Sequence, residues 1–136
     1  MRPLLINSWE AMTCDFDAEK VLKFAGEAAR LGVEMVVLDD GWFGTRDDDN
    51  AGLGDWWANE KKLPGGIRPL SDVIHGMGLK FGLWIEPEMV NENSDLYRAH
   101  PEWVLSIIPN SSSSRSVAGV LLNLNVHLWS NIKATL

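Results

Sequence analysis

Leu31-Gly32-Val33-Glu34-Met35-Val36-Val37-Leu38-Asp39-Asp40-Gly41 joins a helix end to a strand, and the strand to a pair of carboxylates. Gly32 suits the left-handed position that commonly follows a helix. Residues 33–38 are apolar apart from Glu34, which fits a parallel strand covered on both faces better than an alternating surface strand. Asp39-Asp40-Gly41 then ends the run. Met77-Gly78-Leu79 repeats the pattern, leading through a strand over 79–85 to Glu86 and Glu88, with Pro87 as the stop. Two such units predict right-handed βαβ connections and a parallel sheet.

Working outward, residues 4–9 predict a short first strand. Asp15 or Asp17 supplies an N-cap, and Glu19 falls in the first turn, where a negative charge suits the helix dipole. Val21, Leu22, Ala25, Ala28, Ala29 and Leu31 recur at helical spacing, so a helix is expected over about 18–31. Residues 41–67 are rich in Gly, Asp, Asn and Trp and too long for a simple connector; such loops are usually functional or disordered. Pro69 opens a second helix with Leu70, Val73, Ile74 and Met77 on one face and Gly78 at its end. Ser94 caps a short helix over 95–99, Pro101 breaks it, and Val120–Leu124 is expected to be a fourth strand.

The chain has 136 residues, 12 Lys plus Arg, 19 Asp plus Glu and a formal charge of −7, which argues against a phosphate-tracking surface and a nucleic-acid partner. With 46% apolar and 23% charged residues it reads as globular rather than disordered. Leu4-Leu5-Ile6 is followed at once by Asn7-Ser8, too short an apolar run for a signal-peptide core or a membrane span, so a cytoplasmic location and no membrane partner are expected. Seven of the twelve aromatic residues are Trp, a skew that a core does not require.

In parallel α/β folds the C-terminal strand ends form the binding face. Here those ends carry Trp9 and Glu10, then Asp39, Asp40 and Trp42, then Trp84, Glu86 and Glu88. Carboxylates accept hydrogen bonds from adjacent hydroxyls while an indole face packs on C–H groups, a combination that suits a sugar. The plainer alternatives are that Asp39-Asp40-Gly41 is only a turn, that Glu86 and Glu88 are surface charges, and that Trp56, Trp57 and Trp103 pack loops onto the core. An EF-hand register from Asp47 places Gly52 correctly but Ala58 where an acid is needed, leaving a solvated acidic loop. His75 and His100 lack metal-ligand spacing, and Cys14 is a lone thiol. No metal and no cofactor are expected.

Four ordered motifs carry a resemblance: residues 2–11 (Arg-Pro-Leu-Leu-Ile-Asn-Ser-Trp-Glu-Ala), Val37-Leu38-Asp39-Asp40-Gly41-Trp42-Phe43-Gly44, Leu53-Gly54-Asp55-Trp56, and residues 78–90 containing Leu83-Trp84-Ile85-Glu86-Pro87-Glu88. Together with Asp95-Leu96-Tyr97-Arg98-Ala99-His100-Pro101-Glu102-Trp103, they closely resemble the α-galactosidases of glycoside hydrolase family 36. The resemblance implies an α/β fold that is part of a (β/α)8 TIM barrel, its first three to four βα units. It also implies release of terminal α-linked galactose from melibiose- and raffinose-type oligosaccharides, with retention. Family members of full length are implied to be homo-oligomers. Asp39 and Asp40 are implied to hold galactose hydroxyls, and Trp84 and Trp9 to face the sugar; Trp42, at the second strand end, is expected from its position to face it as well. Glu86 and Glu88 are assigned support of the site, and Arg115 is a loose candidate for a sugar-contacting arginine.

The family's nucleophile is the Asp of a Lys-Trp-Asp motif and its acid/base a later Asp, yet the sequence contains no Trp-Asp dipeptide. A retaining mechanism needs two carboxylates roughly 5 Å apart. Asp39 and Asp40 are not expected to replace them, because adjacent strand residues point in opposite directions. The whole of 1–136 therefore reads as a partial catalytic barrel, with 109–136 as a diverged segment and both ends as cut. At about 250 residues for a complete barrel, the length is roughly half of one. The expectation is an inactive piece of an α-galactosidase; the alternative is a non-catalytic sugar-binding half-barrel module.

Overall fold

A computed structural model of the chain describes residues 2–104 and 120–121. Strands β1 (Leu5–Asn7), β2 (Met35–Leu38) and β3 (Lys80–Leu83) form one parallel sheet in the order β1-β2-β3. Ile6 lies opposite Val36, and Val36 opposite Phe81. A single turn, α1 (Trp9–Met12), follows β1; α2 (Ala18–Arg30) links β1 to β2, and α3 (Ile67–Gly76) links β2 to β3. Beyond the sheet lie β4 (Met89–Val90), α4 (Asp95–Ala99), a 3-10 turn at Pro101–Trp103 and β5 (Val120–Leu121).

Local chemistry accounts for the helices. Asp17, extended at φ −135°, accepts a hydrogen bond from the Lys20 N–H at 2.8 Å and so is the α2 N-cap. Gly32 follows the helix at φ +81°. The α2 face formed by Val21, Ala25 and Ala28 is buried, as are Ile67, Leu70 and Ile74 of α3. Helix α3 begins at Ile67, two residues before the expected Pro69; a proline in the first turn costs no hydrogen bond because that N–H has no helical partner. Ser94 caps α4 as expected, its Oγ accepting from the Tyr97 N–H at 3.0 Å.

The core sits between the sheet and these two helices. On β2, Val36 and Leu38 are fully buried while Met35 and Val37 are half-buried, so the expected double cover is complete on one face only among the described residues. Each parallel strand is also shorter than the stretch expected for it: Leu5–Asn7 within 4–9, Met35–Leu38 within 33–38 and Lys80–Leu83 within 79–85.

Val120–Leu121 pairs antiparallel with Met89–Val90 in a separate two-stranded sheet. It does not extend the parallel sheet as the expected fourth strand; residues 122–124 lie outside the described residues. Among the described residues no helix is long and apolar enough to cross a membrane.

The segment 41–67 is packed rather than loose: Trp42, Phe43, Leu53, Trp56 and Leu63 from it join the core. Lys62 fastens it. Its Nζ donates to the carbonyl oxygens of Cys14, Gly41 and Arg46 at 2.9–3.0 Å and pairs with Asp47 at 2.9 Å. One ammonium thereby satisfies acceptors from three stretches of chain converging behind the strand ends.

Candidate functional site

A cleft of about 510 Å3 opens at the C-terminal ends of the three parallel strands, bordered by Asn7, Trp9, Glu10, Asp39, Asp40 and Trp84. Asn7, the last residue of β1, organises one wall. Its Oδ1 accepts from the Trp9 N–H at 2.8 Å, and its Nδ2 donates to Asp39 Oδ2. Ser8 Oγ accepts from the Asp39 N–H at 2.9 Å, and Asp39 Oδ1 accepts from the Asp40 N–H at 2.8 Å. Trp9 remains 40% exposed, leaving an indole surface at the rim.

Asp39 and Asp40 both border this cleft, although Asp39 pairs with Asn7 and Asp40 with Arg46. β2 ends at Leu38, so the two carboxylates lie beyond the pleat and strict alternation no longer governs them. Asp40 is buried and bound by Arg46: Nε lies 2.9 Å from Oδ1 and 3.0 Å from Oδ2, and Nη2 lies 2.7 Å from Oδ2. Such forked guanidinium–carboxylate contacts are the strong, geometrically specific class of ion pair.

Trp42 corrects the sequence reading. It is 1% exposed and absent from the cleft wall; its Nε1 donates to the Trp84 carbonyl at 2.9 Å. Beside it, Phe43 stacks on Trp84 with centroids 6.4 Å apart, and Trp56 packs 4.3 Å from Phe43. Of the indoles near the cleft, Trp9 and Trp84 line it, while Trp42 and Trp56 join Phe43 in an aromatic layer beside them.

Glu86 and Glu88 are outside the cleft wall. Burial, followed by the charges of Glu88 and Asp40, pushes the Glu86 carboxyl above its ordinary range, which marks it as sharing the electrostatic environment of the site. Cys14 is buried, and desolvation followed by Asp40 raises its thiol, so it is not an activated nucleophile. Gly41, at φ +97°, passes so close that a Cβ there would lie 2.9 Å from Cys14 Cα. Among the described residues no three His, Cys, Asp or Glu side chains are grouped to hold a metal ion. Arg115 lies outside the described residues.

Sequence reasoning did not select Asn7 or Arg46. The position of Asn7 at the C-terminal end of the first strand was the available signal for the first. Arg46 heads the run Arg46-Asp47-Asp48-Asp49, which reads as solvated charge. Chemically, the assembled cleft offers carboxylate and amide acceptors and an exposed indole, with three acidic and no basic side chains among its lining residues, the complement of a neutral polyol.

A sequence model of the Melibiase family matches residues 1–135, and the chain belongs to that family. It is 59% identical over 106 residues to the bifunctional α-galactosidase/sucrose kinase AgaSK of Mediterraneibacter gnavus, covering 78% of this chain and 11% of that protein. It is 57% identical over 113 residues to the α-galactosidase AgaA of Geobacillus stearothermophilus, covering 83% and 15%. The crystal structure of an AgaA variant in complex with raffinose, a glycoside hydrolase family 36 α-galactosidase, superimposes with TM-score 0.86 at 49% identity, over 98% of this chain and 19% of that one. The chain therefore spans between about a tenth and a fifth of the length of these relatives.

Proposed function

We propose that this chain carries the galactose-recognition part of an α-galactosidase. The parent enzyme releases terminal α-linked galactose from melibiose- and raffinose-type oligosaccharides with retention of configuration. On this reading the three parallel strands are the first three of a (β/α)8 barrel, and the cleft at their C-terminal ends is one side of its active site. The half-buried face of β2 is then the face that a closed barrel covers.

Asp39 and Asp40 accept hydrogen bonds from sugar hydroxyls, and Trp9 and Trp84 offer apolar surface to the C–H side of the ring. The observation that carries the proposal is the convergence of both carboxylates and two indoles on one cleft at the strand ends. The raffinose complex of the related AgaA supports the choice of ligand class. No Trp-Asp dipeptide occurs in the sequence, so the family's nucleophile motif is missing and the 136-residue chain alone is inactive.

The test is an assay of the purified chain with p-nitrophenyl α-galactoside, paired with calorimetric titration of D-galactose. The expected result is saturable galactose binding, weakened by Asp40→Asn, without hydrolysis. Turnover above the uncatalysed rate that disappears in Asp40→Asn would contradict the assignment of catalysis to residues elsewhere.

A further inference from the structure

Arg46 is 4% exposed although it stands at the head of an acidic loop. Its guanidinium is held on every side. Nε and Nη2 take both oxygens of Asp40, while Nη1 donates to the Ala51 carbonyl at 3.0 Å and to Asn91 Oδ1 at 3.2 Å. Gly52, at φ +83°, packs flat against the same residue; a Cβ there would lie 3.0–3.2 Å from Arg46 atoms. Asn91 Oδ1 also accepts from the Leu53 N–H at 2.9 Å, tying the guanidinium to the segment after β4.

The rotation about Cβ–Cγ of an aspartate is broad, so an unpaired carboxylate samples many planes. A planar fork that engages both oxygens removes that freedom. Asp40 nevertheless borders the cleft. We propose that Arg46 is a positioning residue of the cleft: it fixes the plane of the Asp40 carboxylate and hence the directions of the lone pairs left for sugar hydroxyls. The inference rests on the galactose reading above and adds to it the device that sets hydroxyl geometry. Preorganisation of this kind raises affinity by removing an ordering cost before the ligand arrives.

A residue that merely staples the loop would lower stability without changing how individual hydroxyls are read. The experiment therefore titrates D-galactose, 4-deoxygalactose and 6-deoxygalactose into the full 136-residue chain and its R46Q and R46K variants, with near-UV circular dichroism as the control for folding. In the unsubstituted chain at least one deoxy sugar is expected to bind about tenfold more weakly than galactose, the effect of one charge-assisted hydrogen bond. In R46Q that ratio collapses toward one, and in R46K, which keeps the charge but not the fork, it falls between. If R46Q fails to fold, R46K decides: a reduced ratio supports the proposal and an unchanged one overturns it. An unchanged ratio in folded R46Q overturns the role of Arg46 while leaving the galactose reading intact. Absence of galactose binding by the unsubstituted chain overturns that reading, and this inference with it.

Discussion

The indole N–H of Trp42 donates to the carbonyl oxygen of Trp84 at 2.9 Å, joining the exit of β2 to the exit of β3 across 42 residues of sequence. This bond places the Trp84 backbone, and with it the cleft's third wall, under the control of a residue that never reaches the cleft. Trp42→Phe removes the donor, shrinks a fully buried ring and leaves the carbonyl without this partner. The expected cost is about 2–4 kcal/mol, measured by urea unfolding of the purified chain.

Lys62 predicts a second large effect. Three carbonyl oxygens and the Asp47 carboxylate share its ammonium. Lys62→Met keeps the unbranched stem as far as Cε but abandons all four acceptors, and is expected to cost about 3 kcal/mol. Because the ammonium is largely shielded from solvent, the loss persists at 1 M salt, where a surface ion pair would have vanished. Denaturation at two salt concentrations makes the distinction.

Asp55 holds the start of α4 from a distance: Oδ2 accepts from the Asp95 N–H and Oδ1 from the Leu96 N–H, both at 3.0 Å. Asp55→Asn leaves one of these N–H groups facing an amide donor, at a cost of about 1–3 kcal/mol. Burial is the main reason that the Asp55 carboxyl is raised above its ordinary 3.8, outweighing the two N–H bonds that pull it down. The folded state therefore binds this proton more tightly than the unfolded state. Stability from this group falls as pH rises from 3.8 to the raised folded value and is constant above it. The difference in unfolding free energy between the parent chain and Asp55→Asn should accordingly shrink as pH rises through that window.

Two glycines give opposite outcomes. Gly44 sits at φ +49°, and a Cβ there would lie 2.7 Å from Asp55 Cβ, so Gly44→Ala is expected to destabilise by about 2 kcal/mol or more. Gly26 lies inside α2 with nothing within 4 Å of an added Cβ. Gly26→Ala should stabilise by about 0.5–1 kcal/mol. Thermal melts of the pair check both signs in one experiment.

The parallel sheet was legible in the sequence because its signals are local. Asp17 caps, Gly32 terminates, and the run Val33–Leu38 has no polar period to place it at a surface. What pairs across the chain was not legible. Arg46 turns inward because Asp40, Ala51 and Asn91 converge on it, and no spacing in Arg46-Asp47-Asp48-Asp49 records that convergence. Trp42 looked like a sugar platform because it follows two carboxylates, but its N–H is taken by a backbone carbonyl from another strand. Val120-Leu121 has the apolar character of a strand, yet hydropathy does not encode whether the partner is β3 or Met89–Val90.

The central claim is that Trp9 and Trp84 are the indoles that meet a galactose held by Asp39 and Asp40. Nitrogen-15 labelling of the indoles followed by titration with D-galactose tests it most directly, with the exposed Trp57 as an internal control. Saturable shifts of the Trp9 and Trp84 indole signals, with Trp57 unmoved, are predicted. No shift at either residue, or shifts confined to Trp57, would contradict the account.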